Sequence, residues 1–229
     1  DQALGLVPTP DGNYLWVSQP YRNRVFRIKN PLQSSPVVDV ILGQTSLSGT
    51  QCNRNLVPPA GPGTDQTADL NMLCFPGAIS IDKLGNLYVS DHFLEVEGNW
   101  RLLMFAPSLF PANPSSVVYA PNATKEFPWA RTGSGNPYHH LTWEPAFNSN
   151  NVMVVGENPY YSDRFVKYYK NPTAVNPSNP RDWTYAVHDG TLSDFYSWPV
   201  AAAFDSNDDL YVYDANRGQV RFYDNPLFR

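Results

Sequence analysis

Asp82-Lys83-Leu84-Gly85-Asn86-Leu87-Tyr88-Val89-Ser90-Asp91, followed by Arg101-Leu102-Leu103-Met104-Phe105, is the stretch on which the fold turns, because the chain repeats it. An earlier copy reads Asp11-Gly12-Asn13-Tyr14-Leu15-Trp16-Val17-Ser18-Gln19 and then Arg24-Val25-Phe26-Arg27-Ile28. A late copy reads Asp205-Ser206-Asn207-Asp208-Asp209-Leu210-Tyr211-Val212-Tyr213-Asp214 and then Gln219-Val220-Arg221-Phe222-Tyr223. Between them lies a worn version, Asn150-Asn151-Val152-Met153-Val154-Val155-Gly156-Glu157 with Arg164-Phe165-Val166-Lys167-Tyr168, in which the Gly-Asn turn is lost. A repeated unit that cannot bury its own apolar face has to stack on its neighbours, so the repeat sets the architecture.

Each copy holds a hairpin. The Asp-x-x-Gly-Asn segment supplies residues that adopt left-handed or Asx-turn conformations. The run after it alternates, with Leu15, Val17, Leu87, Val89, Leu210 and Val212 on one face. An apolar run precedes each hairpin: Leu4-Gly5-Leu6-Val7, Ala78-Ile79-Ser80-Ile81, Leu141-Thr142-Trp143 and Val200-Ala201-Ala202-Ala203-Phe204. Three copies have a further run after it, Val37 to Leu42, Ser116 to Tyr119 and Trp183 to Val187. Four antiparallel strands per unit, repeated radially, predict an all-β fold, a β-propeller of four-stranded blades. The blades fall at about 3–44, 76–120, 140–188 and 198–229 in one domain, the last lacking its outer strand. The equivalent positions 15, 87, 153 and 210 are 72, 66 and 57 residues apart, longer than β-solenoid repeats.

The composition agrees. The chain of 229 residues has 22 prolines, 14 tyrosines, 12 phenylalanines and six tryptophans but three methionines, and its β-prone runs are broken by Gly, Pro, Asn and Asp. A net charge of −5 with no Lys/Arg cluster argues against nucleic acid as a partner. No stretch approaches the roughly 20 apolar residues of a membrane span. Cys52 and Cys74 are the only cysteines, in a polar segment flanking a Pro/Gly-rich loop, so a disulfide is expected over a free buried pair. Closing that loop contributes about 3 kcal/mol and places the protein in an oxidising setting, extracellular or periplasmic. Asn122-Ala123-Thr124 is a glycosylation sequon, consistent with secretion. The start at Asp1 without Met or signal peptide reads as a processed chain or a fragment.

The pattern Pro76-Gly77-Ala78-Ile79-Ser80-Ile81-Asp82, then Gly85-Asn86-Leu87-Tyr88-Val89-Ser90-Asp91, Arg101 and Phe105 resembles the NHL-repeat β-propellers. Leu42-Gly43-Gln44, Cys52-Asn53 and Cys74-Phe75-Pro76 are similar to the blade-linking motifs of long-repeat extracellular and bacterial members. The resemblance spans nearly the whole chain and implies about six blades, of which four are present. Either more protein flanks this stretch or a neighbouring chain completes the open blade, since a free sheet edge invites added strands.

Function is therefore sought where the copies differ. The residues closing each second strand (Gln19, Asp91, Glu157, Asp214) recur in every copy and are expected to bond turn amides and the Arg that follows, a structural role. His92, His139 and His140 are the metal candidates, with Zn²⁺ or Ca²⁺ as the ion; the resemblance includes amidating lyases that hold a metal on histidines of successive blades. His188 would emerge on the same side. Structural histidines without a cofactor are the favoured reading. The insertion from His92 to Trp100 lengthens one hairpin loop by about five residues relative to the first and last units, and Phe93, Glu95, Glu97 and Trp100 on it are candidate binding residues. Lys125 to Trp129 reads as a connector packed onto the blades. No nucleophile elbow, haem site or phosphate loop is present. The expectation is a secreted, non-catalytic propeller that binds protein or glycan partners or scaffolds an assembly. The alternatives are a metal-dependent lyase or hydrolase at the axis, and a subunit of an extracellular polymer completed by strand donation.

Overall fold

The computed structural model describes residues 3–56, 68–93, 97–127, 139–140, 144–159, 164–180, 189–195, 199–214 and 217–224. They form sheets, antiparallel except for one parallel pair, in two compact units, residues 1–129 and 130–229.

In the first unit, β1 (Leu6–Pro8), β2 (Tyr14–Gln19), β3 (Arg24–Lys29) and β4 (Val37–Leu42) make one blade in meander order. β5 (Ile79–Ile81), β6 (Leu87–Phe93) and β7 (Glu97–Phe105) begin the next. Alternation works as the sequence predicts. Trp16, Val25, Val40 and Leu42 leave one face of the first blade and meet Ile79, Leu87, Val89 and Leu103 of the second, with Phe105 and Phe110 completing the core. Trp16 and Phe110 meet edge-on with ring centroids 4.7 Å apart.

The outer strand of the second blade differs from expectation. Val118–Tyr119 (β8) does not join that blade; it pairs in parallel with β4, Val40 opposite Val118. The outer strand is instead Lys125–Phe127 (β9), antiparallel to Leu102–Met104. The connector after β7 explains the switch. Arg27 is held bidentately by Asp39 at 2.8 Å and donates to the carbonyls of Phe110 and Pro111, while the Tyr14 hydroxyl donates to the Ala112 carbonyl. These bonds draw the chain along the first blade's edge before it returns. The described part of the segment read as a packed connector is thus a buried strand: Lys125, Glu126 and Phe127 are each at most 3% exposed.

In the second unit, β10 (His139–His140) and β11 (Ala146–Phe147) both pair with β12 (Met153–Pro159), which continues to β13 (Arg164–Tyr169) and β14 (Gly190–Phe195). The runs at 141–143 and 183–187, expected as inner and outer strands, lie outside the described residues. The observed outer strand begins later, at Gly190. β15 (Pro199–Phe204), β16 (Leu210–Asp214) and β17 (Gln219–Tyr223) form a three-stranded sheet among the described residues. Val152, Val154, Val166 and Tyr168 pack on Leu210 and Val212, joined by Ala202, Phe204 and Tyr223.

The worn third copy keeps its turn after all. Asn148 Oδ1 accepts from the amides of Asn150 and Val152, as Asp82 Oδ1 accepts from Leu84 and Asn86 and Asp205 Oδ1 from Asn207 and Asp209. Asn151 takes the left-handed position (φ 61°) that Gly85 takes (φ 81°). An asparagine tolerates that conformation and accepts as a carboxylate does, so the turn survives the loss of Asp and Gly. Its neighbour Ser149 bonds Asp208 of the following hairpin through both amide (2.7 Å) and hydroxyl.

Candidate functional site

The inserted segment after Asp91 is mostly strand. His92 pairs with Gly98 and Phe93 with Glu97, so β6 and β7 run on as a two-stranded ribbon, with a register shift between Ser90 and His92. The expected loop shrinks because the extra residues continue the ladder and satisfy their own backbone groups. Gly98 makes the close pairing possible. At φ +121°, a Cβ there would stand 2.5 Å from His92 Cα and 3.0 Å from the Cys74 carbonyl. Those are backbone atoms, so only glycine fits.

The base of this ribbon is the most tightly bonded polar cluster among the described residues. Arg101 on β7 is fully buried. Its Nε donates to Asp91 Oδ2 at 2.9 Å, Nη1 to Glu126 Oε2 at 3.1 Å and to the Ala68 carbonyl at 2.8 Å, and Nη2 to the carbonyls of Asp69 and Met72, both 2.9 Å. Asp91 Oδ1 accepts the Cys74 amide at 2.7 Å, and Asp91 Oδ2 also accepts from Asn99. Burial pushes the Asp91 carboxyl up, while Arg101, the Asn99 amide and the Cys74 N–H pull it back down. A planar guanidinium suits this task, because five fixed donors can serve two carboxylates and three carbonyls at once.

The disulfide joins this base. Cys52 and Cys74 are bonded, with Cα atoms 4.4 Å apart. Asn53, next to Cys52, exchanges amide hydrogen bonds with Asn99 of β7, each 2.7 Å, and its own N–H donates to the Leu73 carbonyl. Asn53, Arg54 and Asn55 are all left-handed (φ 47°, 55° and 58°), a turn held by this pairing and by the covalent bond. Ahead of it, Gly43 at φ +85° ends β4, and buried Gln44 donates to the carbonyls of Asn23 and Gln51. The Leu-Gly-Gln and Cys-Asn motifs are thereby the straps that tie the inter-blade connector to the ribbon's root.

The first blade has a lighter version of the same root. Arg24 occupies the position of Arg101 and donates to Gln19 at 2.8 Å, but to only one carbonyl, that of Leu47. In the last blade Asp214 is buried, accepts the Arg217 amide and lies 3.7 Å from Arg221. The structural role expected for Gln19, Asp91 and Asp214 therefore holds; the side chains of Glu157 and Arg164 are outside the described set.

Among the sequence candidates, His92 is half-buried at the ribbon's root. His139 and His140 pair through their backbones with Pro159 and Asn158, at the start of the third blade's inner edge and not ahead of it. They belong to the other compact unit. Among the described residues, no three His, Cys, Asp or Glu side chains gather to hold a metal ion. His188 and Glu95 lie outside the described residues; Phe93, Glu97 and Trp100 are placed by backbone on the ribbon. Asn122 is exposed, while Ala123 beside it is buried and the Thr124 hydroxyl accepts the Ala106 amide. Asn53, Asn99 and Glu126 were missed as members of the ribbon's root. Their signal was present only in the Cys-Asn pair, since a buried Asn-Asn exchange has no sequence signature.

No protein-family model matches this chain, and no curated protein matches it in sequence. Solved structures do. A candidate 6-phosphogluconolactonase from Bacteroides uniformis aligns over 99% of this chain and 52% of its own, with TM-score 0.56 and 13% identity. The Cps50 (Swd1) β-propeller domain of Myceliophteria thermophila aligns over 98% and 54%, with TM-score 0.55 and 10% identity. The periplasmic gluconolactonase PpgL of Pseudomonas aeruginosa aligns over 96% and 49%, with TM-score 0.54 and 16% identity. The fold is that of a β-propeller, and the chain spans about half the length of these structures.

Proposed function

We propose that this chain is an exported NHL-type propeller acting as a non-catalytic binding or assembly scaffold, which takes a protein or glycan partner on the ribbon formed by β6 and β7. The observation that carries the reading is the construction of the ribbon's root. It departs from the other copies in length, and among the described residues it is the hairpin anchored by a disulfide, a fully buried arginine and a reciprocal amide pair. Binding elements work best when projected from rigid supports, because a stiff element loses little entropy on binding. Phe93, Glu95, Glu97 and Trp100 are the contact residues, offering aromatic rings that stack on apolar or sugar surfaces and carboxylates that accept hydrogen bonds. The disulfide and the exposed Asn122 support export to an oxidising compartment.

A glycan array and a displayed-peptide library probed with the whole chain test this reading. Ligands retained by wild type and lost in a Phe93→Ala, Trp100→Ala variant support it; ligands bound equally well by that variant overturn it. The second reading is a metal-dependent lyase or hydrolase using His92, His139 and His140, and its support is that two of the similar propellers carry lactonase names. Stoichiometric zinc or calcium in the purified protein, removed by His139→Ala with His140→Ala, would replace the scaffold by that enzyme.

A further inference from the structure

Both cysteines of the disulfide are followed directly by left-handed backbone. After Cys52 come Asn53, Arg54 and Asn55 at φ 47°, 55° and 58°, and after Cys74 comes Phe75 at φ 53°. Asparagine takes this conformation readily, but for arginine and phenylalanine it is strained, because Cβ crowds the following carbonyl. Among the described residues, Arg54, Phe75 and Ala120 are the left-handed positions that hold neither Gly, Asn nor Asp, and two of the three lie beside the disulfide. Arg54 carries a second cost. Its Nη2 donates to Asn71 Oδ1 at 2.7 Å, while its Nε is buried with no hydrogen-bond partner.

Such strain persists only where the surroundings enforce it, and three holds converge on these turns. The Asn53 N–H donates to the Leu73 carbonyl, and the Asn53 side chain exchanges hydrogen bonds with Asn99 of β7. The Phe75 N–H donates to Asn23 Oδ1 at 2.8 Å, while the neighbouring Cys74 N–H is taken by Asp91. The disulfide closes the set by tying one turn to the other. Asp91 and Asn99 belong to the two strands of the ribbon, and a Cβ on Gly98 would meet the Cys74 carbonyl at 3.0 Å. The strained turns and the ribbon's root are therefore in direct contact. Cys52 is half-buried and Cys74 fully buried, which makes Cys52 the side of approach for a thiol.

We propose that the Cys52–Cys74 disulfide is a redox latch: its reduction lets the two strained turns relax and loosens the root of the ribbon, leaving the blade cores folded. The reductant is a dithiol. Its first thiolate attacks Cys52 Sγ, the S–S bond breaks, and Cys74 leaves as a thiolate that takes up a proton. The second thiol, as a thiolate, then displaces Cys52 and closes the reductant's own disulfide, so two electrons and two protons pass to the cysteines. Once the turns relax, Asn53 no longer stands against Asn99, and the ribbon loses that hold on its root. The latch deepens the ribbon reading, since it switches the partner site off. Its test needs no partner, so either reading can fail by itself.

Amide hydrogen exchange on the whole 229-residue chain tests this before and after dithiothreitol, with alkylation confirming two free thiols. Peptides across residues 52–56, 74–76 and 92–99 should exchange roughly tenfold faster once reduced, while β2, β3, β12 and β13 keep their protection. Reoxidation should reverse the change. The strain itself is read from the equilibrium with dithiothreitol. Arg54→Gly takes a left-handed φ without strain, so its disulfide should be roughly fivefold harder to reduce than that of Arg54→Ala, which keeps the strain. A disulfide that dithiothreitol leaves intact in the folded chain, or a ribbon equally protected after reduction, would overturn the proposal. So would a first unit that loosens throughout, or equal reduction of the two variants.

Discussion

Arg101→Met is the sharpest probe of how the ribbon's root is held. The substitution keeps most of the buried volume and removes the guanidinium. It leaves the carboxylates of Asp91 and Glu126 without their cation, and the carbonyls of Ala68, Asp69 and Met72 without a donor that is well formed in the wild type. Breaking a buried pair from one side costs about 3–5 kcal/mol, because the remaining charge stays desolvated. Against a total stability of roughly 5–15 kcal/mol, this is a large fraction. With a urea m-value of about 2 kcal/mol/M, the midpoint should fall by about 2 M. The repeat supplies its own control. Arg24→Met removes the equivalent residue of the first blade, where the partner is a neutral amide and the side chain is partly exposed, and should cost about 1 kcal/mol. Urea unfolding followed by tryptophan fluorescence reports both, since Trp16 lies in the core of the same unit. If Arg101→Met loses less than about 1.5 kcal/mol, or no more than Arg24→Met, the root is not the anchor described.

Lys125 gives a pH signature: burial pulls its ammonium down to about 8, against 10.5 for a free lysine. Between those values the unfolded chain binds the proton and the folded chain does not, so stability should rise as pH rises from 8 to 10.5, by at most about 3 kcal/mol. Below pH 8 both states are charged and the penalty is constant; Lys125→Met should abolish the slope in thermal melts taken across that range, and a slope that persists would refute the assignment. At the third hairpin, Asn148→Ala should cost about 1–2 kcal/mol by stripping the acceptor from two turn amides, lowering the melting temperature by a few degrees. Asn148→Asp should be tolerated, since Asp82 and Asp205 already make the same bonds; calorimetry showing Asp no better than Ala would disprove the equivalence.

The hairpin phrase determined much of this protein. Alternation fixes which residues of a strand share a face, because side chains switch sides with every residue. Packing decides which face enters the core: Leu87 and Leu210 lie there, whereas in the first blade it is Trp16 and not Leu15. The turn residues before them fix where each hairpin begins, and the polar setting of Cys52 and Cys74 foretells their bond. What lay beyond the sequence were the contacts made across long separations. The run at Ser116 to Tyr119 reads as the second blade's outer strand, whereas Lys125–Phe127 takes that place; Arg27 and Tyr14, which hold Phe110 to Ala112, steer the connector there. Lys125 to Trp129 reads as a connector packed onto the blades, and only the pairing of Lys125–Phe127 with β7 and the bond of buried Arg101 to Glu126 show a blade strand there. Asn148 reads as a lost turn until its carbonyl oxygen is found doing the work of a carboxylate. Local propensity and period set the repeat, since they act within a few residues. Tertiary packing alone decided that the Leu-Gly-Gln and Cys-Asn motifs are straps and that Arg101, Asn99 and Glu126 form the root of the ribbon, because those contacts join residues far apart in the chain.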